Sequence, residues 1–315
     1  MRFLIYGAGA LGQALGCMLA AQGHNVTLII RERFIKSITK RGLTVSGLFG
    51  DFHVEGRSIG LLPSLETVHD NDFDYILITT KSYGTSQAVA EIAMLERCRC
   101  PVVSMQNGCG NVEQVIGQFG TDRSLGARVI TGFEIQQPAV VKITVSADDI
   151  HIGAAVPGSI SQSAQRLANM INQAGLPTIP VEDINQSLFA KLLYNCALNP
   201  LGALLGVNYG ALSEHDDTRT VMNTIIEETF SVIRVLGGTT PWKSAAHYQD
   251  HFYQTLLPAT YDHRSSMLQD LENNKPTEIE ALTGYVSCQG KMNGISTPVC
   301  ELLTSLIRFR EQPIN

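Results

Sequence analysis

The chain has no run of lysines or arginines, no CxxC spacing, and no uninterrupted apolar stretch approaching the roughly 18 residues of a membrane span. Each absence excludes something. Without a basic arm, and with a formal charge of −6, nucleic acid is not an expected partner. Without a long apolar run, no membrane segment is expected. The opening MRFLIYGAGALG reads as a strand entering a glycine loop rather than as a signal peptide. The seven cysteines (Cys17, Cys98, Cys100, Cys109, Cys196, Cys288 and Cys300) are odd in number and scattered, mostly in apolar patterns. Reduced thiols in a cytoplasmic protein fit that best. Cys98-Arg99-Cys100 is not a metal-type pair, which leaves a disulfide or zinc there as the lesser alternative.

What is present is an ordinary globular composition, 44% apolar and 17% charged, spread over 315 residues. Single cores stop growing near ~250–300 residues, so two domains are expected. The first half alternates strand and helix signals: RFLIY (2–6), a helix over 10–23, VTLII (26–30), DYILITT (74–80), a helix over 85–98, and PVVSMQ (101–106). That alternation predicts parallel βαβ units. After Gly120, GARVITGFEI, AVVKITVS and DIHIG read as antiparallel edge strands, followed by a helix over 161–175. From about Asp183 only helical patterns remain: 184–205, 218–237, 243–256, 265–274, 277–294 and 299–310. With no repeat and no flexible tether, the change of class sets the boundary. Residues 1–182 form an α/β, doubly wound Rossmann-type domain and 183–315 an all-α domain.

Gly7-Ala8-Gly9-Ala10-Leu11-Gly12 matches GxGxxG. With 28 glycines in the chain, chance alone gives ~0.2 such matches, so context must decide. Here the motif follows a strand and opens a helix, where the glycines allow a tight turn, close approach of a pyrophosphate and close helix–strand packing. The helix N-terminus adds N–H donors and positive potential. The alternative is a tight turn with no ligand. At the end of the second strand a NAD site would carry an acid; this chain has Arg31, followed by Glu32 and Arg33. A guanidinium suits a 2′-phosphate, so NADP(H) is favoured. Glu32, one residue late, keeps NAD as the alternative, and a solvated surface arginine is the structural one. Lys81 and Asn107 each follow a predicted parallel strand, the end at which such sheets bind ligands. Lys81 faces the phosphate or ribose end in this reading and Asn107 the nicotinamide side, although Asn107-Gly108 is also an ordinary turn dipeptide.

The most apolar stretch, KLLYNCALNPLGALLG (191–206), is broken by Lys191, Asn195 and Asn199, spaced by four and four. On a helix they form one stripe, drifting about 40° per step. Pro200 predicts a kink at its end. Surface snorkelling by the lysine and helix–helix contacts by the asparagines are the structural alternative. Ser266 and Glu278 flank a loop-like NNKP and come from adjoining helical segments. Composition alone does not select them.

GAGALG with Arg31, TTKSY, QNGCGN, KLLYNCALNPLGAL and SSMLQDLENNKPTEIEALTG occur in an order and spacing that resembles the ketopantoate reductases (2-dehydropantoate 2-reductases) over nearly the whole chain. The resemblance implies a Rossmann domain followed by a helical domain like that of 6-phosphogluconate dehydrogenase. It implies NADPH-dependent reduction of a small 2-oxoacid, ketopantoate, in pantothenate and coenzyme A biosynthesis. Carried over, Gly7, Ala8, Gly9, Ala10, Leu11 and Gly12 hold the pyrophosphate, and Arg31 and Lys81 the 2′-phosphate end. Asn107 neighbours nicotinamide and substrate. Lys191 is the proton donor. Asn195, Asn199 and Ser266 bind substrate, and Glu278 is the acidic partner near the lysine or the cofactor ribose. The sequence departs from the family at Phe189, where many relatives have tryptophan, and matches no family pattern over 130–150 or in HYQDHFYQ (247–254). No metal is expected, since His247, His251 and Asp250 read best as an exposed helix end. A homodimer is the assembly considered. The rival readings are a reductase of another 2-oxoacid and a non-catalytic NADP-sensing protein; the latter does not need Lys191 together with Asn195.

Overall fold

The computed structural model describes residues 1–68, 72–95 and 97–312. The chain forms two compact units. The first comprises Met1–Asn107 and Asn111–Ile184; the second comprises Gly108–Gly110 and everything from Asn185 onward.

The first unit contains strands β1 (Arg2–Tyr6), β2 (Asn25–Ile29), β3 (Leu43–Gly47), β4 (Phe52–Val54), β5 (Gly60–Leu62), β6 (Tyr75–Ile78), β7 (Val102–Ser104), β8 (Ser124–Arg128), β9 (Thr131–Gln137), β10 (Val140–Ser146), β11 (Ile150–Ala154) and β12 (Thr178–Pro180). Its main sheet has eight strands in the order β12-β11-β8-β7-β6-β1-β2-β5. The run from β8 to β5 is parallel. Phe3–Tyr6 and all of β6 are buried, as both faces of a central parallel strand must be. Strand order reverses between β1 and β6, so the loops at their carboxyl ends open at the switch point where such sheets take ligands. Helices α1 (Ala10–Ala21), α2 (Glu32–Arg41), α3 (Thr85–Ala93), α4 (Asn111–Phe119) and α5 (Gln162–Gln173) complete this unit.

A second sheet, β4-β3-β10-β9, covers the outer side of α1. That helix therefore packs against two sheets, and Gly12 through Leu19 are all buried. The region after Gly120 differs from expectation. SLGAR forms β8, parallel to β7 in the main sheet, and only β9 with β10, and β11 with β8, pair antiparallel. The sequence pattern could not separate these cases, because pairing direction is not written in alternation. β3 and β4 were not expected at all; β4 is only three residues long, shorter than a readable period. The helix expected over 85–98 stops at Ala93; residue 96 lies outside the described residues. Pro101 biases Cys100 toward extended backbone, and the approach to β7 takes over.

Among its described residues the second unit has helices and turns only. After α6 (Ile184–Leu205) come α7 (Tyr209–Ser213), α8 (Asp216–Val235), α9 (Ala245–His251), a π-helical segment (Phe252–Leu256), α10 (Leu257–Ala259), α11 (Ser266–Glu272), α12 (Thr283–Met292) and α13 (Pro298–Arg310). α6 runs on past Pro200 to Leu205. Its 22 residues are long and apolar enough to cross a bilayer, but 72% of its most apolar window is buried inside the protein, which makes it a core helix. α13 starts with Pro298, and Glu228 from α8 accepts the N–H groups of Val299 and Cys300 at 2.9 Å each. A buried carboxylate thereby answers two donors that a helix start leaves open.

On the β8–β11 pair, His151 lies across from Arg128. The Arg128 guanidinium donates to Asp148 at 2.8 Å and to the Asp149 carbonyl at 2.9 Å. Burial, and then the Arg128 cation, hold the His151 pKa down at about 4. An unfolded histidine titrates near ~6.5. As pH falls from there toward about 4, the unfolded chain takes up a proton that the folded chain refuses. Stability should therefore fall across that window by up to ~1.4 kcal/mol per pH unit from this residue. Urea unfolding at about pH 7, 5.5 and 4.5 should show the slope in the parent and a flatter one in His151→Gln. Equal slopes would assign it to another group.

Candidate active site

The glycine loop divides its glycines by what each one avoids. Gly7 has φ +104°, and a Cβ there would lie 2.7 Å from the Thr80 backbone nitrogen. A Cβ on Gly12 would lie 2.4 Å from the Gly7 carbonyl oxygen and 2.6 Å from Thr79 Oγ1. Both are glycine for the sake of the fold. A Cβ on Gly9 would meet nothing within 4 Å. The protein itself does not require glycine there; a group approaching from outside would. Gly9 is also the N-cap of α1 and offers no side-chain cap, so the first N–H groups of the helix are available to an anion. Thr79 Oγ1 donates to the Gly7 carbonyl at 2.5 Å and Gln13 Nε2 to the Ala8 carbonyl at 2.9 Å, which fixes the loop. Ala8, Ala10 and Leu11 are half-buried along it. These features fit a dinucleotide pyrophosphate.

Arg31 sits at the N-cap position of α2, one residue beyond the buried Ile30, and is exposed with Glu32 and Arg33. The Arg33 guanidinium lies over the Phe34 ring, 4.7 Å from its centroid. The Arg31 guanidinium has no partner among the described residues.

Lys81 and Asn107 follow β6 and β7, adjacent strands of the sheet. A buried polar network ties their loops together. Gln106 Nε2 donates to Thr80 Oγ1 at 3.1 Å, to the Lys81 carbonyl at 3.2 Å and to Thr85 Oγ1 at 2.7 Å. Thr85 Oγ1 reaches Asn111 Oδ1 at 2.8 Å, and Asn111 Nδ2 donates to the Asn107 carbonyl at 2.9 Å. Gln106, Thr85 and Asn111 are therefore positioning residues, none of them singled out from the sequence. The signal was present in QNGCGN, whose glutamine precedes Asn107, but polarity inside a loop motif does not reveal that it is buried.

In the second unit the stripe is real: Lys191, Asn195 and Asn199 share α6. Lys191 is half-buried. Asn195 is 8% exposed, and its side-chain amide has no hydrogen-bond partner among the described residues, which leaves it open to a group from outside. Asn199 Oδ1 accepts the Tyr209 hydroxyl at 2.5 Å, which leaves its NH2 group to act as donor. Beside the stripe, Tyr194 donates to Thr260 Oγ1 at 2.6 Å, and burial pushes its phenol up to about 12. Glu278 is buried, directly before a short helical turn, Ile279–Ala281. The Gly108–Gly110 loop clamps that turn: the Cys109 N–H donates to the Ala281 carbonyl at 2.9 Å. Gly108 has φ +78°, and a Cβ on it would fall 2.3 Å from the same oxygen. Ser266 opens α11 and is exposed; its neighbour Ser265 is buried and caps the helix, accepting the Leu268 N–H at 3.0 Å. His251, from the histidine pair, stacks on Trp242 with ring centroids 5.4 Å apart.

A glycine loop at the switch point of a parallel sheet, in a chain whose second unit carries a lysine-headed polar stripe, fits an oxidoreductase of the nicotinamide-dependent kind. Residues 3–157 match the family model described as ketopantoate reductase PanE/ApbA, and residues 183–311 match ketopantoate reductase PanE/ApbA C terminal. The chain belongs to this family. It is 35% identical to a 2-dehydropantoate 2-reductase of Aquifex aeolicus (strain VF5), covering 99% of this chain and 97% of that one. It is 31% identical to one of Pyrococcus horikoshii, covering 99% and 98%. Among solved structures, a PanE/ApbA family ketopantoate reductase from Ralstonia eutropha JMP134 superposes with a TM-score of 0.85 at 28% identity, covering 99% and 98%. A D-mandelate dehydrogenase solved with NADH and anilino(oxo)acetate reaches 0.86 at 24% identity, covering 99% and 98%, and shares the fold.

The glycine loop makes a separable prediction. Gly9→Ala should change unfolding free energy by less than ~0.5 kcal/mol yet weaken dinucleotide binding by about tenfold or more, ~1.4 kcal/mol. Gly7→Ala should cost about 1–3 kcal/mol of stability outright. Thermal unfolding without cofactor and fluorescence titration with it measure the two effects. Unchanged affinity in Gly9→Ala would remove the pyrophosphate from this loop.

Proposed function

We propose that the chain is an NADPH-dependent 2-dehydropantoate 2-reductase, reducing the ketone of ketopantoate to the alcohol of pantoate on the route to pantothenate and coenzyme A. The observation that carries this reading is the α6 stripe, in which an ammonium heads two buried amides, one of them without a protein partner. The full-length likeness to relatives named 2-dehydropantoate 2-reductase supports the choice of substrate.

In this reading residues 1–182 hold NADPH and residues 183–315 bind substrate and catalyse. The reduced nicotinamide, when bound, supplies a hydride to the ketone carbon. Gly7–Gly12 and the start of α1 hold the pyrophosphate. Arg31 and Lys81 meet the 2′-phosphate end, and Asn107 the nicotinamide and substrate. Lys191 stabilises the negative charge that grows on the ketone oxygen and delivers the proton. Asn195, Asn199 and Ser266 bind substrate hydroxyl and carboxylate without adding charge; the NH2 group of Asn199, its Oδ1 being taken by Tyr209, suits an acceptor. Glu278 is the acidic partner that keeps the lysine protonated. The reading implies a cytoplasmic enzyme acting on a small 2-oxoacid, and a homodimer fits it.

Lys191→Ala should lower kcat by about 10²–10⁴, or ~2.7–5.5 kcal/mol of barrier, with NADPH binding retained. Single-turnover hydride transfer in a folded, cofactor-binding variant measures this, and near-normal turnover would reject Lys191 as the acid. Arg31→Ala should weaken NADPH by roughly 10–150-fold, the worth of a charged hydrogen bond at ~1.5–3 kcal/mol, and leave NADH nearly unchanged. Equal loss for both cofactors would show that Arg31 does not discriminate. Steady-state assay with NADPH against ketopantoate and a panel of other 2-oxoacids tests the substrate: a clear preference for another oxoacid overturns the assignment.

A further inference from the structure

A pair of thiols lies at the amino end of β7, the opposite end from Asn107. Cys98 Sγ and Cys100 Sγ are 3.1 Å apart. The pair is buried, Cys98 4% and Cys100 9% exposed, against the apolar cluster of Leu4, Ile76, Leu95 and Val102. Arg123 straps the loop that carries them: its Nη2 donates to the Cys98 carbonyl at 3.1 Å and its Nε to the Cys100 carbonyl at 3.2 Å. The same guanidinium lies over the Phe119 ring, 5.1 Å from its centroid, which holds the cation in place. None of these groups takes part in the reduction described above.

We propose that Cys98 and Cys100 form an oxidisable dithiol, which a small hydroperoxide converts to a Cys98–Cys100 disulfide within the loop. Two residues apart, a chain spans at most about 7 Å, and a disulfide needs Cα atoms within about 6.8 Å. Any bend in the loop therefore satisfies the bond, and the chain bends at Cys100. The sulfurs already touch, so closure needs a shift of about 1 Å toward the ~2.05 Å bond. The Cys100 thiol, donating to the Cys98 sulfur, lowers the Cys98 pKa, and Arg123 adds to the effect. Burial raises Cys17 to about 12 and raises Cys196 and Cys300 as well. Negative charge is thus better supported on Cys98 than on Cys17, Cys196 or Cys300, and the thiolate is the nucleophile.

The step balances. The Cys98 thiolate attacks the terminal oxygen of ROOH; an S–O bond forms, the O–O bond breaks, and the alkoxide leaves and takes a proton as ROH. The Cys100 thiol then attacks the sulfenic sulfur. An S–S bond forms, the S–O bond breaks, and hydroxide leaves with the Cys100 proton as water. Two thiols are oxidised by two electrons and the peroxide is reduced to ROH and water.

The full chain, reduced and then exposed to hydrogen peroxide, can be quenched in acid, unfolded, alkylated with iodoacetamide and mapped by mass spectrometry. The expected result is a peptide holding Cys98 and Cys100 two hydrogens lighter and unalkylated, restored by dithiothreitol and formed about tenfold or more faster than any change at Cys17 or Cys196. Cys100→Ser should stop at a sulfenic acid that dimedone traps at Cys98. The NADPH-dependent activity of Cys98→Ser should match that of the parent. Oxidation of the pair no faster than Cys17, oxidation to sulfinic acid without pairing, or disulfide-linked dimers through the exposed Cys288 as the main product would each overturn the proposal.

Discussion

The approach of α1 to the turn after β1 is the constraint on which the first unit depends. The gap between Gly12 and the Gly7 carbonyl leaves no room for a single carbon. Gly16 meets Leu28 of β2 almost as closely, with a Cβ there falling 2.8 Å from a leucine methyl. That closeness seats the helix start directly beyond the strand end. It also lets α1 carry a second sheet on its other side, so one helix serves as the core of two layers. The Thr79 hydroxyl locks the turn from the neighbouring strand. The geometry of the glycine loop is therefore set by packing, and of its three glycines, Gly7, Gly9 and Gly12, Gly9 alone has open space where a Cβ would stand.

The second unit is built differently. Among its described residues it has no sheet, so single side chains align its helices. Glu228 joins α8 to the start of α13, Tyr209 orients Asn199, Ser265 caps α11, and the Gly108–Gly110 loop clamps the turn after Glu278. Each is a polar group buried with its partner, an arrangement that fixes one geometry because the unpaired alternative is expensive.

The sequence was legible where periodicity and chemistry coincide. GxGxxG between strand and helix, and polar residues four apart in an apolar helix, each follow from one geometric rule, and α6 runs over the residues its pattern indicated. It was illegible where the deciding partner is distant in the chain. Whether SLGAR pairs parallel or antiparallel depends on β7 and β11, not on its own residues. The importance of Gln106 depends on Thr85 and Lys81, more than 20 residues away. The choice between Ser265 and Ser266 as the capping side chain turns on one residue of helix phase, finer than a boundary read from propensity.

The assignment of Gly108–Gly110 to the helical unit gives the chain an unusual cut pattern. The path passes from one unit to the other after Asn107, after Gly110 and after Ile184. Neither unit is therefore a continuous gene segment. A fragment starting at Asn185 would leave the Ala281 carbonyl without the N–H of Cys109 and the turn after Glu278 without its clamp. A fragment ending at Ile184 would carry a glycine loop with nothing to grip. Recombination between relatives by a single crossover between clamp and turn would join a clamp from one parent to a turn from the other, and the hybrid would keep its clamp only where both parents hold glycine at the position of Gly108, where a Cβ would fall 2.3 Å from the Ala281 carbonyl oxygen.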